Sequence, residues 1–189
     1  MQLGFYFDQT RCIGCHTCTV ACKDWHDVPP GPSSWIRVHE IESGKFPNVF
    51  VAYQKTHCYH CAKPACVSAC PAGAITKDEA TGIVSVDKDA CLGRSGCPDM
   101  CLEVCPYKAP QFRADKDAKM EMCDLCQDRW SEHKLPICVA GCPMRALDAG
   151  PIEQLTAKYG QVTEASGFAY SAEVMPSIVF KPRRGRAKS

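Results

Sequence analysis

Sixteen cysteines carry the chemistry this chain could perform, and they fall into four groups of four with none left over. The first group is Cys12-x2-Cys15-x2-Cys18-x3-Cys22. The second is Cys58-x2-Cys61-x4-Cys66-x3-Cys70, followed by Pro71. The third is Cys91-x5-Cys97-x3-Cys101-x3-Cys105, followed by Pro106. The fourth is Cys123-x2-Cys126-x11-Cys138-x3-Cys142, followed by Pro143. Disulfides, zinc and iron–sulfur clusters compete for such residues. Disulfides call for an oxidising compartment, yet Met1 to Asp8 has neither the basic nor the apolar region of a signal peptide. Zinc sites present two separated ligand pairs. The first group instead has the bacterial ferredoxin run. In it three cysteines at three-residue steps wrap one cubane and the fourth reaches a different one. Sixteen ligands, four per cubane, give four 4Fe–4S clusters. An oxidised cubane with four thiolates carries a net charge of about −2.

The elements that position these ligands are short. A helical turn precedes each fourth cysteine: Thr19 to Cys22, Val67 to Cys70, Leu102 to Cys105 and Val139 to Cys142. In three of them a proline stops the helix and fixes where the thiolate points. Lys23 follows Cys22 instead, so the first helix continues through Asp24, Trp25 and His26. Asp27 to Ser34 is a breaker run. Asn48 to Gln54 reads as a strand. Ala74–Lys77 and Ile83–Val86 read as a hairpin around the Asp78–Gly82 turn. Gln111–Arg113 and Lys119–Met122 read as another. Pro151 to Gly160 has proline in its first turn and glycine at its end, the signature of a short helix.

Composition narrows the class. The charge is +1, which does not favour a nucleic-acid binder. The 46% hydrophobic fraction counts cysteine. Without it the fraction is about 38%, thin for a packed core, so something besides apolar packing must hold the centre. No window approaches the length of a transmembrane helix. No nucleophile–base constellation, phosphate loop or dinucleotide fingerprint is present, so the chain reads as a non-catalytic electron carrier.

With all four groups in view, the chain resembles the iron–sulfur electron-transfer subunits of the DMSO reductase family of molybdenum and tungsten oxidoreductases. The similar stretches include Gly4–Asp8, Arg11-Cys12-Ile13-Gly14-Cys15, Ala21–Asp24, Pro64–Cys66, Pro136–Cys138, Cys142–Leu147 and Gly150–Leu155. The resemblance implies that motif one pairs with motif four and motif two with motif three. One cluster then takes Cys12, Cys15, Cys18 and Cys142, and a second takes Cys123, Cys126, Cys138 and Cys22. A third takes Cys91, Cys97, Cys101 and Cys70, and the last Cys58, Cys61, Cys66 and Cys105. The implied fold is α+β: two ferredoxin-like units, each binding two 4Fe–4S clusters, with a loop-rich periphery and a C-terminal extension. Residues 1–50 with 108–150 would form the first unit and 51–107 the second, inserted one. Residues 151–189 would be a C-terminal helix and basic tail. The implied function is an electron relay between a large molybdopterin-containing catalytic subunit, facing the Cys12 cluster, and a quinone-side partner, facing the Cys58 cluster. That partner is a membrane anchor subunit or a soluble carrier. The chain would lie in the cytoplasm or be exported with a signal-bearing catalytic partner.

The third motif departs from the family pattern, because Leu92 to Gly96 stretches its first spacing. A 4Fe–4S cluster is expected there, with a 3Fe–4S or altered site as the alternative. Lys23, Lys63, Arg94 and Arg129 are candidates for stabilising reduced clusters. His16, His57 and His60 lie beside ligands but read as ordinary loop residues, since every cluster already has four cysteines. Trp25, Trp35 and Trp130 read as packing or interface anchors. Lys181 to Ser189 holds five basic residues and no acid, a solvated terminus or an arm for an acidic partner. A free-standing polyferredoxin, a subunit of a hydrogenase-type or formate-oxidising complex, and a zinc-stabilised module are the competing functions.

Overall fold

The computed structural model describes residues 1–185. In chain order the elements are β1 (Leu3–Asp8), α1 (Thr17–Trp25), β2 (Arg37–Lys45), β3 (Asn48–Thr56), α2 (Ala65–Ala69), β4 (Ile75–Lys77), β5 (Val84–Val86), α3 (Gly93–Gly96) and α4 (Met100–Glu103). They continue with β6 (Gln111–Phe112), β7 (Met120–Glu121), α5 (Gln127–Ser131), α6 (Ile137–Ala140), β8 (Leu147–Pro151), α7 (Ile152–Tyr159) and β9 (Ile178–Lys181).

A three-stranded sheet joins the two ends of the chain. β1 lies at its centre, antiparallel to β8 and parallel to β9, with Phe5 opposite both Ala149 and Ile178. All six residues of β1 are buried. Both faces of this strand are covered, so its sequence is a continuous run and not an alternation. On one face Tyr6 packs with Leu155 and Val179, and its ring stacks on Tyr159 at 3.6 Å. On the other, Phe5 and Phe7 enter the main core with Phe180. The C-terminal segment thus completes the sheet, with α7 laid against β1, β8 and β9.

Three hairpins surround this sheet. β2 and β3 pair from Arg37↔Thr56 to Lys45↔Asn48. The far end of this hairpin is exposed, whereas Ala52, Gln54 and Lys55 at its base are buried. β4 pairs with β5, and β6 with β7, at the positions the sequence predicts. Helix α7 and the continuation of α1 to Trp25 also fall where expected. Two helix pairs sit at the centre: α1 packs on α6, and α2 packs on α4. α1 and α6 meet near Ala21 and Gly141, where a Cβ on the glycine would make ordinary contact with that of Ala21 at 3.7 Å. Cys22, Cys58, Cys101, Cys123, Cys126 and Cys138 are themselves buried core residues. No helix among the described residues is long and apolar enough to cross a membrane.

Candidate iron–sulfur centres

Each cysteine motif opens with the same backbone turn. The second residue after the first cysteine has positive φ in all four: Gly14 (68°), His60 (45°), Gly93 (71°) and Leu125 (61°). This turn folds the loop back over its own sulfur, so that the Gly14 amide faces Cys12 and the His60 amide faces Cys58. Three motifs also close alike. After Cys70, Cys105 and Cys142 come a proline, one further residue and a third at positive φ: Gly73, Lys108 and Arg145. An alanine follows in each case, and the amides of Ala109 and Ala146 donate to Cys105 Sγ and Cys142 Sγ, both at 3.4 Å. Amide-to-sulfur bonds of this kind stabilise charge on a ligand thiolate.

The helix pairs determine which motifs meet. Packing of α1 on α6 carries Cys142 to the loop of motif one and Cys22 to that of motif four. Packing of α2 on α4 does the same for motifs two and three. Cys12, Cys15, Cys18 and Cys142 line one small cavity, with Phe7, Val38 and Lys55 among its walls. Cys70, Cys91, Cys97 and Cys101 line another, with Ile75, Phe112 and Met120. Cys22, Cys123, Cys126 and Cys138 are all buried and influence one another electrostatically, as do Cys58, Cys61, Cys66 and Cys105. All sixteen thiols are free.

The inserted residues of motif three do not displace its ligands. They form the turn α3, which docks on the β6–β7 hairpin through the Arg94 amide and the Ala118 carbonyl at 3.2 Å. Cys91 and Cys97 consequently still face one cavity. The amide of Met120 on β7 approaches Cys91 Sγ at 3.5 Å.

Burial dominates the chemistry of nine of these thiols: Cys12, Cys18, Cys22, Cys58, Cys61, Cys66, Cys101, Cys123 and Cys126. It pushes Cys66 up to about 11 and Cys61, Cys101 and Cys126 up to about 12. Thiols held neutral in this way are inert as nucleophiles, and a metal centre is what turns them into thiolates. Cys15 is the exposed exception; the Thr17 hydroxyl and amide draw it down. Four sulfurs around a cavity with amide donors at their backs fit a cubane well.

Thiols of neighbouring sets also sense one another, and this orders the sets. Cys18 lies near Cys138, Cys123 near Cys58, and Cys101 near Cys66. These proximities join the Cys12 set to the Cys22 set, the Cys22 set to the Cys58 set and the Cys58 set to the Cys91 set. Strand β3 delivers Cys58 into the core, and motif three joins the same core through Cys101, beside Ile75 of β4, Phe112 of β6 and Met120 of β7.

Several side chains differ from their sequence reading. His57 and His60 lie in the loop after β3, as expected, but both are buried, which the sequence did not suggest. His57 Nδ1 pairs with the Cys58 carbonyl at 2.7 Å, and His60 Nδ1 accepts the Val84 amide at 3.0 Å. Lys23 Nζ donates to the carbonyls of Ser33 and Pro29, pinning the Asp27–Ser34 segment. Arg94 pairs with Asp99 at 3.2 Å, and Arg129 donates to the Leu135 carbonyl and lies over the Trp25 ring. Trp35 is buried against His26, as an anchor should be. His26 itself was not singled out in the sequence. The continued helix α1 brings its Nε2 to 3.2 Å from Cys126 Sγ. Arg186 and Lys188 of the basic tail lie outside the described residues.

Thiols grouped in fours, six of them buried and several backed by amides, define an iron–sulfur electron-transfer protein. Comparison with known proteins agrees. Two family models, each described as a 4Fe-4S dicluster domain, match residues 49–152 and 11–74. The sequence is 43% identical to the B subunit of anaerobic dimethyl sulfoxide reductase from Escherichia coli (strain K12), over 96% of this protein and 89% of that one. It is 40% identical to the subunit of the same name from Haemophilus influenzae, over 97% and 90%. Protein NrfC of E. coli matches at 34%, over 86% and 71%. This protein belongs to the 4Fe–4S dicluster family, in the branch of these iron–sulfur electron-transfer subunits. Two dicluster domains imply four 4Fe–4S clusters, for which the sixteen cysteines are present.

Proposed function

We propose that the chain is the non-catalytic relay subunit of a molybdopterin oxidoreductase, built as two ferredoxin-like units that hold four clusters in a row. The Cys12, Cys15, Cys18 and Cys142 thiols hold the first cluster. Cys22, Cys123, Cys126 and Cys138 hold the second. Cys58, Cys61, Cys66 and Cys105 hold the third, and Cys70, Cys91, Cys97 and Cys101 the fourth. Bound clusters supply one-electron transfer with little rearrangement, because rigid ligands and exclusion of water keep the reorganisation small. The protein's part is to hold the thiolates, to direct amides at their sulfurs and to bury the Cys22 set together with Cys58. The observation that carries this reading is the pairing of α1 with α6 and of α2 with α4. It brings thiols from two motifs around one cavity in a protein that is 43% identical to a reductase's B subunit.

The ends of the row support a place between two partners. Exposed Ile13 and Met144 flank the Cys12 set, and exposed Leu92 and Met100 flank the Cys91 set. Apolar side chains left in solvent beside a terminal redox site suit transient or permanent docking. A large molybdopterin-bearing catalytic subunit would cover the Cys12 end, and a membrane anchor or soluble carrier the Cys91 end. Anaerobic purification through a tag on this chain tests the proposal. A co-purifying large subunit that contains pterin and molybdenum or tungsten is expected. A brown, well-behaved monomer with no such partner would contradict it and favour a free-standing polyferredoxin.

A further inference from the structure

Lys55, at the end of β3, is only 2% exposed, and its Nζ has no hydrogen-bond partner. The neighbouring Gln54 and Tyr59 side chains satisfy its backbone carbonyl, not its ammonium. Among the described residues no carboxylate pairs with it. The Phe5 ring lies beneath it at 4.9 Å. A buried ammonium without a counter-charge is costly, and a fold retains one where a negative group faces it. The ammonium lines the cavity of Cys12, Cys15, Cys18 and Cys142. Its charge also reaches the second set. Burial pushes the Cys12, Cys18 and Cys22 thiols up, and Lys55 pulls each of them back. Three of the four cations singled out in the sequence have other duties; Lys23, Arg94 and Arg129 are each held by protein groups.

We propose that Lys55 is a redox-tuning residue, whose fixed buried charge between the Cys12 and Cys22 sets favours reduction of the clusters they hold. The inference rests on the cluster assignment proposed above. Each oxidised cluster carries about −2, and reduction adds one electron with no bond made or broken. A positive charge lining the same cavity stabilises the more negative state, so its removal must lower the potential. Electrons would then rest less readily at the end of the row that faces the catalytic subunit.

The test is an EPR-monitored potentiometric titration of the anaerobically purified protein at constant pH, with iron content determined on the same samples. Lys55→Met keeps the aliphatic stem and removes the charge. At least one couple is expected to shift towards the oxidised state by about tenfold in its one-electron equilibrium, or about 59 mV. Lys55→Arg should restore it, and Lys45→Met on the exposed hairpin should move none. A fully loaded Lys55→Met protein with every couple unmoved would overturn the role of Lys55 alone. An iron-free wild-type chain would overturn the cluster assignment, and the inference with it. Should Lys55→Met fail to retain iron, Lys55→Arg decides. Full loading with Arg supports a need for charge; equal loss with Arg assigns the side chain to packing and refutes the proposal.

Discussion

Gly14, between Cys12 and Cys15, is the position where the ligand loop is most sharply constrained. Its φ is +68°, and a Cβ there would lie 2.8 Å from Tyr53 Cζ and closer still to two other ring carbons. Gly14→Ala therefore meets two penalties. The left-handed backbone costs about 1–2 kcal/mol for a residue with a Cβ. Moving the Tyr53 ring from a packed position costs about 1–3 kcal/mol more. Gly73, third after Cys70, isolates the first penalty: its φ is +62°, and nothing lies within 4 Å of where a methyl group would stand. Cluster loss is irreversible, so the rate of bleaching at a fixed urea concentration is the appropriate measure. Gly14→Ala should bleach about 5- to 150-fold faster than Gly73→Ala, the rate equivalent of the additional 1–3 kcal/mol. Adding Tyr53→Ala to Gly14→Ala should recover most of that excess and leave the backbone part. Equal rates for the two glycine variants, or no recovery in the double variant, would refute the packing of Tyr53 over this loop.

Glu121 is buried and accepts hydrogen bonds from Ser33 and Arg113. Burial pushes its carboxyl up, but those partners outweigh it and hold the group below its ordinary 4.5. Its ionised form thus favours the fold fully above pH 4.5, and the contribution is lost as pH falls through the lower folded value. Glu121→Gln should bleach about 10- to 150-fold faster in urea at pH 7, the rate equivalent of about 1.5–3 kcal/mol, and the gap to wild type should stay constant from pH 8 down to about pH 5. Arg94→Ala removes a half-exposed pair with Asp99 and a stack on Phe112. It should lower stability by less than about 1 kcal/mol and leave the iron content unchanged, which thermal denaturation and metal analysis will show. Stripping the clusters with an anaerobic chelator should abolish near-UV circular dichroism, because six of the sixteen cysteines are core residues and folding is linked to ligation.

The cysteine spacing made the chemistry legible, and the local signals placed β3, two hairpins and α7. The central sheet was not legible. Leu3 to Asp8 is six residues with no alternation, and its partners β8 and β9 lie more than a hundred residues away. Nothing local announces such a pairing. β2 was missed because most of its side chains face solvent, so Arg37-Val38-His39-Glu40 carries little apolar pattern. Lys55, His57 and His60 have the composition of a loop, and only the closure of β3 against Phe5 and the ligand loops buries them. The order of the four sets was likewise invisible, because it depends on how the two helix pairs meet.

Metal and sulfide analysis of the anaerobically purified chain tests the central claim most directly. About sixteen irons and sixteen acid-labile sulfides per chain, with little zinc, is the result expected for four cubanes. Zinc in place of iron, or a full complement of only about eight irons, would contradict it.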